Sequence, residues 1–209
     1  MYVPTHFAAD DAAVHDLLSQ PSAADLVTVT PVGLLASLLP FIYDPTVGRH
    51  GTLLAHLARA NEQWRQPVIG EALAIVRGPD AYVSPSWYAS KTEHGRVVPT
   101  WNYITAHIYG TVTVHDDPAW VEQLVRRLTN QHEAHRADPW SVDDAPDKFI
   151  AGQLRAIVGV ELAISRVEAK FKLSQNRPEA DITGVVNGLE AHGDTAAATA
   201  VSNFRPGGR

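Results

Sequence analysis

Cysteine is absent from the 209 residues. That removes disulfides, thiolate metal sites and cysteine nucleophiles together. No apolar run reaches the roughly 18 residues of a membrane-spanning helix. The longest apolar stretch, 32–43, is broken by Gly33, Ser37 and Pro40. The opening Met1-Tyr2-Val3-Pro4-Thr5-His6 has no basic segment followed by an apolar one, so no secretory signal is expected and a cytoplasmic location is. Basic runs are also missing. The net charge is −6, from 17 Lys and Arg against 23 Asp and Glu, and such a surface repels duplex DNA on average. The nearest approaches to a basic patch are Arg126-Arg127 and the set Lys170, Lys172, Arg177. A DNA partner is possible but finds no support in this balance. No P-loop, G-x-G-x-x-G fingerprint or G-x-S-x-G elbow occurs. His132-Glu133-Ala134-His135 departs from the zinc-protease pattern, because its second His falls at i+3 and no third ligand follows. It reads as a solvated helix end.

Hydrophobic residues make up 45% of the chain, enough for a globular core, and no linker or repeat divides it. One domain covering 1–209 is expected. A short helix is predicted over 10–20, capped by Asp10 or Asp11 and stopped by Pro21. Strand patterns follow at 26–30, 34–43, 52–58 and 72–76, the last closed by the turn residues Gly78-Pro79-Asp80, with a restart at 81–84. A long β-rich stretch covers 97–114, interrupted by Pro99 and Gly110. The clearest helix begins at Asp117-Pro118, a cap followed by a proline at the first helical position, and runs to about Arg136. A second covers 146–154. Clean alternation returns over 157–173, helices follow at 178–192 and 195–204, and a loose tail covers 205–209. Turn signals at short spacing indicate an antiparallel barrel or sandwich with flanking helices, a mainly β, α+β architecture.

Four segments carry more polar chemistry than a core strand needs: HLARAN (56–61), SPSWY (84–88), VPTWNY (98–103) and KFKLSQNR (170–177). In the first, His56, Arg59 and Asn61 stand at a strand end. An Arg fork suits a phosphate, whereas a surface Arg beside a hydrogen-bonded core His would need no ligand. Ser84 and Ser86 offer hydroxyls, Lys91 a charge, and Trp87 and Tyr88 flat rings; an aromatic packing corner is the alternative. In the third segment Thr100 and Asn102 face one side of a strand and Trp101 and Tyr103 the other. The alternative there is a bulge with a structural Asn. Ser174, Gln175, Asn176 and Arg177 crowd before Pro178, either to meet a ligand or to cap the next helix. No residue presents itself as a general acid or base.

Taken in order, these segments resemble the PaiB-like family of FMN-binding negative transcriptional regulators. The opening Met1-Tyr2-Val3-Pro4-x-His6-Phe7 and the run Gly78-Pro79-x-Ala81-Tyr82-Val83-Ser84-Pro85-Ser86-Trp87-Tyr88 are similar to that family too. The resemblance extends from Met1 to about Leu189. It implies a flavin-binding split β-barrel, FMN as cofactor, and a homodimer with FMN in the groove between subunits. By that analogy, the phosphate end comprises Arg59, Ser84, Ser86 and Lys91, completed by His56 and Asn61. Trp87, Thr100, Trp101 and Asn102 fall in the ribityl and ring region. Ser174, Gln175, Asn176 and Arg177 reach the flavin of the partner subunit. The function implied is a regulator sensing flavin or redox state. The competing readings are a flavin-dependent oxidoreductase that does not touch DNA directly, and a barrel that has lost its flavin. Haem, with His56 or His107 as axial ligand, is a further chemistry of this fold.

Overall fold

Alternating apolar and polar residues become strands in the computed structural model, which describes residues 1–205. The elements in order are α1 (Asp11–Ser19), β1 (Ser22–Thr30), β2 (Gly33–Asp44), β3 (Thr52–Ala58), β4 (Ala72–Val83), α2 (Ser90–Glu93), β5 (Thr100–His115), α3 (Pro118–Glu133), α4 (Asp147–Leu154), β6 (Ile157–Lys172), α5 (Glu179–Ala191) and α6 (Thr195–Asn203). The six strands form a closed barrel in the order β1-β2-β3-β6-β5-β4. β1 and β2 make a hairpin running from Thr30↔Gly33 to Ser22↔Phe41. Gly33 enters β2 at a φ of 113°, a conformation that favours glycine. β3 pairs antiparallel with β6 from Thr52↔Ala163 to Ala58↔Ile157. Of the barrel and sandwich that the turn spacing allows, the structure is the α+β barrel that the family resemblance implies.

Two glycines read as breakers have another purpose. β4 does not close at Gly78-Pro79-Asp80 but continues to Val83. A Cβ on Gly78 would lie 2.9 Å from the Ile104 side chain, so the residue is small because a neighbour presses on it, not because the chain turns. β5 likewise runs through Gly110 without a break. A Cβ there would stand 2.2 Å from the Ala163 carbonyl oxygen. Close backbone approach is the second common reason for glycine in a strand.

The chain divides into two compact units. One comprises 1–14, 77–106 and the residues from 168 on; the other comprises 15–76 and 107–167. In the second, α3 lays Leu124 and Leu128 against Ile42, with Leu54 and Trp120 packed around them. Asp117 caps α3 by accepting from the Ala119 N–H at 3.2 Å, and Pro118 fills the first turn. In the first unit, α5 buries Ile182, Val185, Val186 and Leu189, and α6 buries Ala197, Ala198, Ala200 and Val201. Arg205, expected to be loose, pairs with Glu179 of α5; the rest of that tail lies outside the described residues. No helix among the described residues is long and apolar enough to cross a membrane.

Candidate functional site

The first unit contains three of the four polar segments. After β4 the chain makes a single 3₁₀ turn, Pro85–Trp87, because the Ser84 side chain caps it by accepting from the Ser86 N–H at 3.2 Å. The Lys91 ammonium, on α2, donates to the Ser86 hydroxyl at 3.1 Å. Ser84, Ser86 and Lys91 thus converge, with Ser86 and Lys91 exposed. Trp87 turns toward α5. Cβ atoms on Gly184 and Gly188 would sit 1.9 Å from its carbonyl oxygen and 2.2 Å from its ring. Its indole lies 5.2 Å from the His192 ring. Trp87 therefore sits in the packing corner that was its alternative reading.

Beneath this turn lies a buried polar layer. The Ser90 N–H and hydroxyl donate to the Asp181 carboxylate at 2.9 and 2.6 Å, and Asp181 is buried. Tyr88 is buried beside it, and burial pushes its phenol pKa up, against the opposing influence of the Arg177 charge. The Arg177 guanidinium stands over the Tyr88 ring at 4.7 Å.

On β5, Asn102 is 1% exposed and closes a reciprocal pair with Ser174. Its amide donates at 3.0 Å and its oxygen accepts from the hydroxyl at 3.3 Å. Among the described residues, Ser174 is the non-glycine residue with positive φ, 66°. A serine in the left-handed region is uncommon, and the Asn102 pair supplies part of what holds it there. Gln175 binds back to the Leu173 N–H and the Phe171 carbonyl, while Asn176 is exposed. Trp101 points outward at 50% exposure. Its indole N–H donates to Asp80 at 2.8 Å, and Tyr82 meets it edge-on with ring centroids 6.3 Å apart. Thr100 accepts from the Lys172 ammonium, which also donates to the Trp101 carbonyl at 2.6 Å. Burial first, then the nearby charges of Lys170 and Arg177, push the Lys172 pKa down.

His56, Arg59 and Asn61 belong to the second unit. His56 is half-buried on β3, and burial pushes its imidazole pKa down. Arg59 grips both carboxylate oxygens of Asp116 and donates to the carbonyls of Arg155 and Ile157 at 2.8 and 3.1 Å. The Asp116 hydrogen bonds raise the Arg59 pKa and lower that of Asp116. This leaves little of the five-donor fork for another anion. Both residues line a groove of about 530 Å³ with Glu122, Ala151 and Leu154. Asn61 accepts from the Gln63 N–H at 2.8 Å and donates to Ser37 at 2.9 Å, capping the next 3₁₀ turn.

The predicted site set omits Asp181 and Ser90, Asp80 and Tyr82, and also Lys170 and Lys172, which the sequence marks only as part of its nearest approach to a basic patch. Lys170 and Lys172 alternate on β6 with the buried Phe171, so the two-residue period places both on the outer face. Asp80 and Tyr82 flank the buried Ala81 in the same way. No local signal marks Asp181, whose partner is 91 residues away.

Residues 1–166 match the family model described as "Putative FMN-binding domain". Protease synthase and sporulation protein PAI 2 of Bacillus subtilis is 31% identical over 192 residues, which cover 91% of this chain and 89% of that protein. Two solved structures share the fold. The flavocytochrome Anf3 of Azotobacter vinelandii superimposes with a TM-score of 0.57 at 13% identity, over 87% of this chain and 78% of that one. An FAD and haem binding protein of Mycobacterium smegmatis gives 0.55 at 20%, over 83% and 77%. The chain belongs to the PaiB-like FMN-binding domain family, with FMN as its cofactor.

Proposed function

We propose that FMN is held on the first unit, its phosphate against Ser84, Ser86 and Lys91 and its ring beside Thr100 and Trp101. The donor set fits the group. An exposed ammonium already hydrogen-bonded to a serine hydroxyl, next to a second serine, offers charge and directional donors to a phosphate. The Lys91–Ser86–Ser84 cluster is the observation that carries this reading. An indole fixed by Asp80 presents a rigid face to a flat ring. Asn102 and Ser174, paired with each other, position the strand end rather than touch the ring. Bound FMN would supply reversible electron or hydride transfer, so the protein need not provide its own acid or base.

In this reading the protein is a homodimer and a regulator responding to flavin or redox state. Two-fold association would cover the outer face of the β1–β2 hairpin, where Leu34 and Leu38 are 72% and 66% exposed beside Val29 and Val32. The relative from Bacillus subtilis is named for protease synthesis and sporulation, which favours a regulatory role. The net charge of −6 argues that any DNA contact is indirect. A flavin-dependent oxidoreductase is the second reading, favoured by the open face of Trp101.

The test is a titration of apoprotein with FMN and with riboflavin, followed by flavin fluorescence. FMN should bind more tightly than riboflavin, and Lys91→Ala should remove most of that difference. Equal affinity for the two flavins in the unaltered protein would overturn the phosphate assignment. For the regulatory reading, the homodimer is titrated against its own upstream DNA and scrambled DNA at physiological salt. Binding at least about a thousandfold tighter to the first, the lower range for specific sites, would make it a direct DNA-binding repressor.

A further inference from the structure

The second unit contains a cavity of about 230 Å³ that none of the proposed flavin contacts lines. Its walls come from β1, β3, β5 and β6, and from the 3₁₀ turn Glu62–Arg65 with the residues that follow it. Every lining residue falls within 15–76 or 107–167, whereas Ser84, Ser86, Lys91, Thr100 and Trp101 belong to the first unit. Leu26, Leu57 and Val160 form buried apolar walls. Thr111 and Val114 also line the cavity and are exposed, so it opens to solvent. The Trp64 indole N–H donates to the Arg59 carbonyl at 3.0 Å, which fixes this ring as a flat wall.

Gln63 is the polar group that sets this cavity apart. It lines the cavity and is 4% exposed. Its amide nitrogen donates to the Leu26 carbonyl at 3.0 Å, the Thr28 hydroxyl at 3.1 Å and the Leu35 carbonyl at 3.4 Å. Two of these acceptors are carbonyls, which only the nitrogen end of an amide can meet, so the side chain has one orientation. That leaves the amide oxygen, Oε1, buried and without a donor among the described residues. A buried acceptor with no donor costs free energy, and a native protein retains one where water or a ligand completes it.

We infer that the cavity binds a small, flat, neutral molecule whose N–H or O–H group donates to Gln63 Oε1. Among the described residues no charged side chain lines it, so an ion entering it would lose its hydration without gaining a partner. Its volume exceeds the roughly 150 Å³ of an apolar cavity that holds benzene, which leaves room for two fused rings. The occupant is chemically unlike the FMN phosphate, and the inference does not depend on where the flavin sits. A protein that responds to flavin would through this cavity take a second, uncharged input.

Indole is the probe, being neutral and bicyclic with a single N–H. Benzofuran has the same shape with an ether oxygen in place of the N–H, and indole-3-carboxylate keeps the N–H and adds a charge. Each is titrated by calorimetry into FMN-loaded protein and into apoprotein. Indole should saturate at one molecule per chain and bind about tenfold more tightly than benzofuran, the scale of one hydrogen bond. Indole-3-carboxylate should bind more weakly than indole. Gln63→Leu should make indole and benzofuran equal. Val112→Phe places a ring in the cavity from β5, and should abolish binding of both while leaving FMN affinity unchanged. If no probe saturates, water alone meets Oε1 and the proposal falls. It falls equally if benzofuran matches indole in the unaltered protein, or if Val112→Phe still binds indole. Should Gln63→Leu fail to fold, having lost its bonds to β1 and β2, the benzofuran comparison and Val112→Phe decide. Displacement of indole by FMN would make the cavity part of the flavin site and overturn the proposal. An unaltered protein that takes up no FMN yet binds indole would sink the flavin reading above and leave this site standing.

Discussion

Arg59 and Lys172 are both half-buried cations near a strand end, yet their surroundings differ. Arg59 has a carboxylate across its fork and two carbonyls around it, so its charge and geometry are satisfied within its own unit. Lys172 faces two neutral oxygens and two further cations. The same contrast extends to their neighbours. Asn61 caps a turn and Arg59 ties β3 to the start of β6. Ser86, Lys91, Trp101 and Lys172 keep donors or ring faces open. Residue types alone made these sets look equivalent; their partners separate them. Polar groups already paired inside the protein stabilise it, and those left facing neutral or solvated neighbours are available to a ligand.

The comparison breaks first at the glycines that hold each unit together. Gly184→Ala in the first unit forces a methyl group against the Trp87 carbonyl, and Gly110→Ala in the second forces one against the Ala163 carbonyl. Neither obstacle is a flexible side-chain end. Each variant should lose about 3 kcal/mol or fail to fold, the upper range for overpacking. Urea unfolding followed by circular dichroism checks it. If Gly184→Ala is neutral, the fixed seat of the turn before Lys91 is wrong.

A smaller loss is expected from the buried layer. Asp181→Ala strands the Ser90 N–H and hydroxyl without an acceptor and should cost about 2 kcal/mol. Because Ser90 directly precedes Lys91, this variant should also weaken FMN binding. A comparable Asn61→Ala change in the second unit should affect stability by about 1 kcal/mol, as for a lost cap, and leave FMN affinity nearly unchanged. Unfolding and flavin titrations on the two variants sharpen the division between the units. Equal effects on FMN would erase it.

Lys91 and Arg59 bear on the phosphate directly. Lys91→Ala should lower FMN affinity by about tenfold while barely altering that of riboflavin, a difference of about 1.4 kcal/mol. Arg59→Ala should lower it by less, because Asp116 already holds the fork. If Arg59→Ala has the larger effect, and only with FMN, then Asp116 releases the guanidinium to the phosphate and the roles are reversed.

Much of the barrel was legible because its strands alternate and its helices carry caps. β3 has the predicted limits, and Asp117-Pro118 opens α3 as expected. What misled was glycine. Gly78 and Gly110 resemble breakers in a list of residues, but their role is to admit Ile104 and the Ala163 backbone, and tertiary approach leaves no local signature. The site was legible as a set of segments and not as a set of partners. Ser84, Ser86 and Lys91 converge because a turn and a helix follow one another in sequence. Asn102 and Ser174 meet across 72 residues, and Asp116 reaches Arg59 across 57. Whether a polar group is free depends on those distant partners.

The smallest expected effect concerns pH and belongs to His56. Burial lowers its pKa below the ordinary 6.5, so the folded protein binds fewer protons at this position than the unfolded chain does. Where the unfolded chain binds more protons, stability rises with pH. The His56 contribution is therefore favourable above pH 6.5 and is lost as pH falls from there through the lower folded value. The slope cannot exceed one proton, about 1.4 kcal/mol per pH unit, and partial exposure reduces it. His56→Gln should flatten the stability profile below pH 6.5 while leaving it parallel to the parent above that pH. Chemical denaturation across that range measures both curves. Identical slopes would mean that the imidazole is solvated in the folded protein. A steeper parental slope that disappears on adding FMN would instead couple this residue of the second unit to the flavin, and would end the division drawn between Arg59 and Lys172.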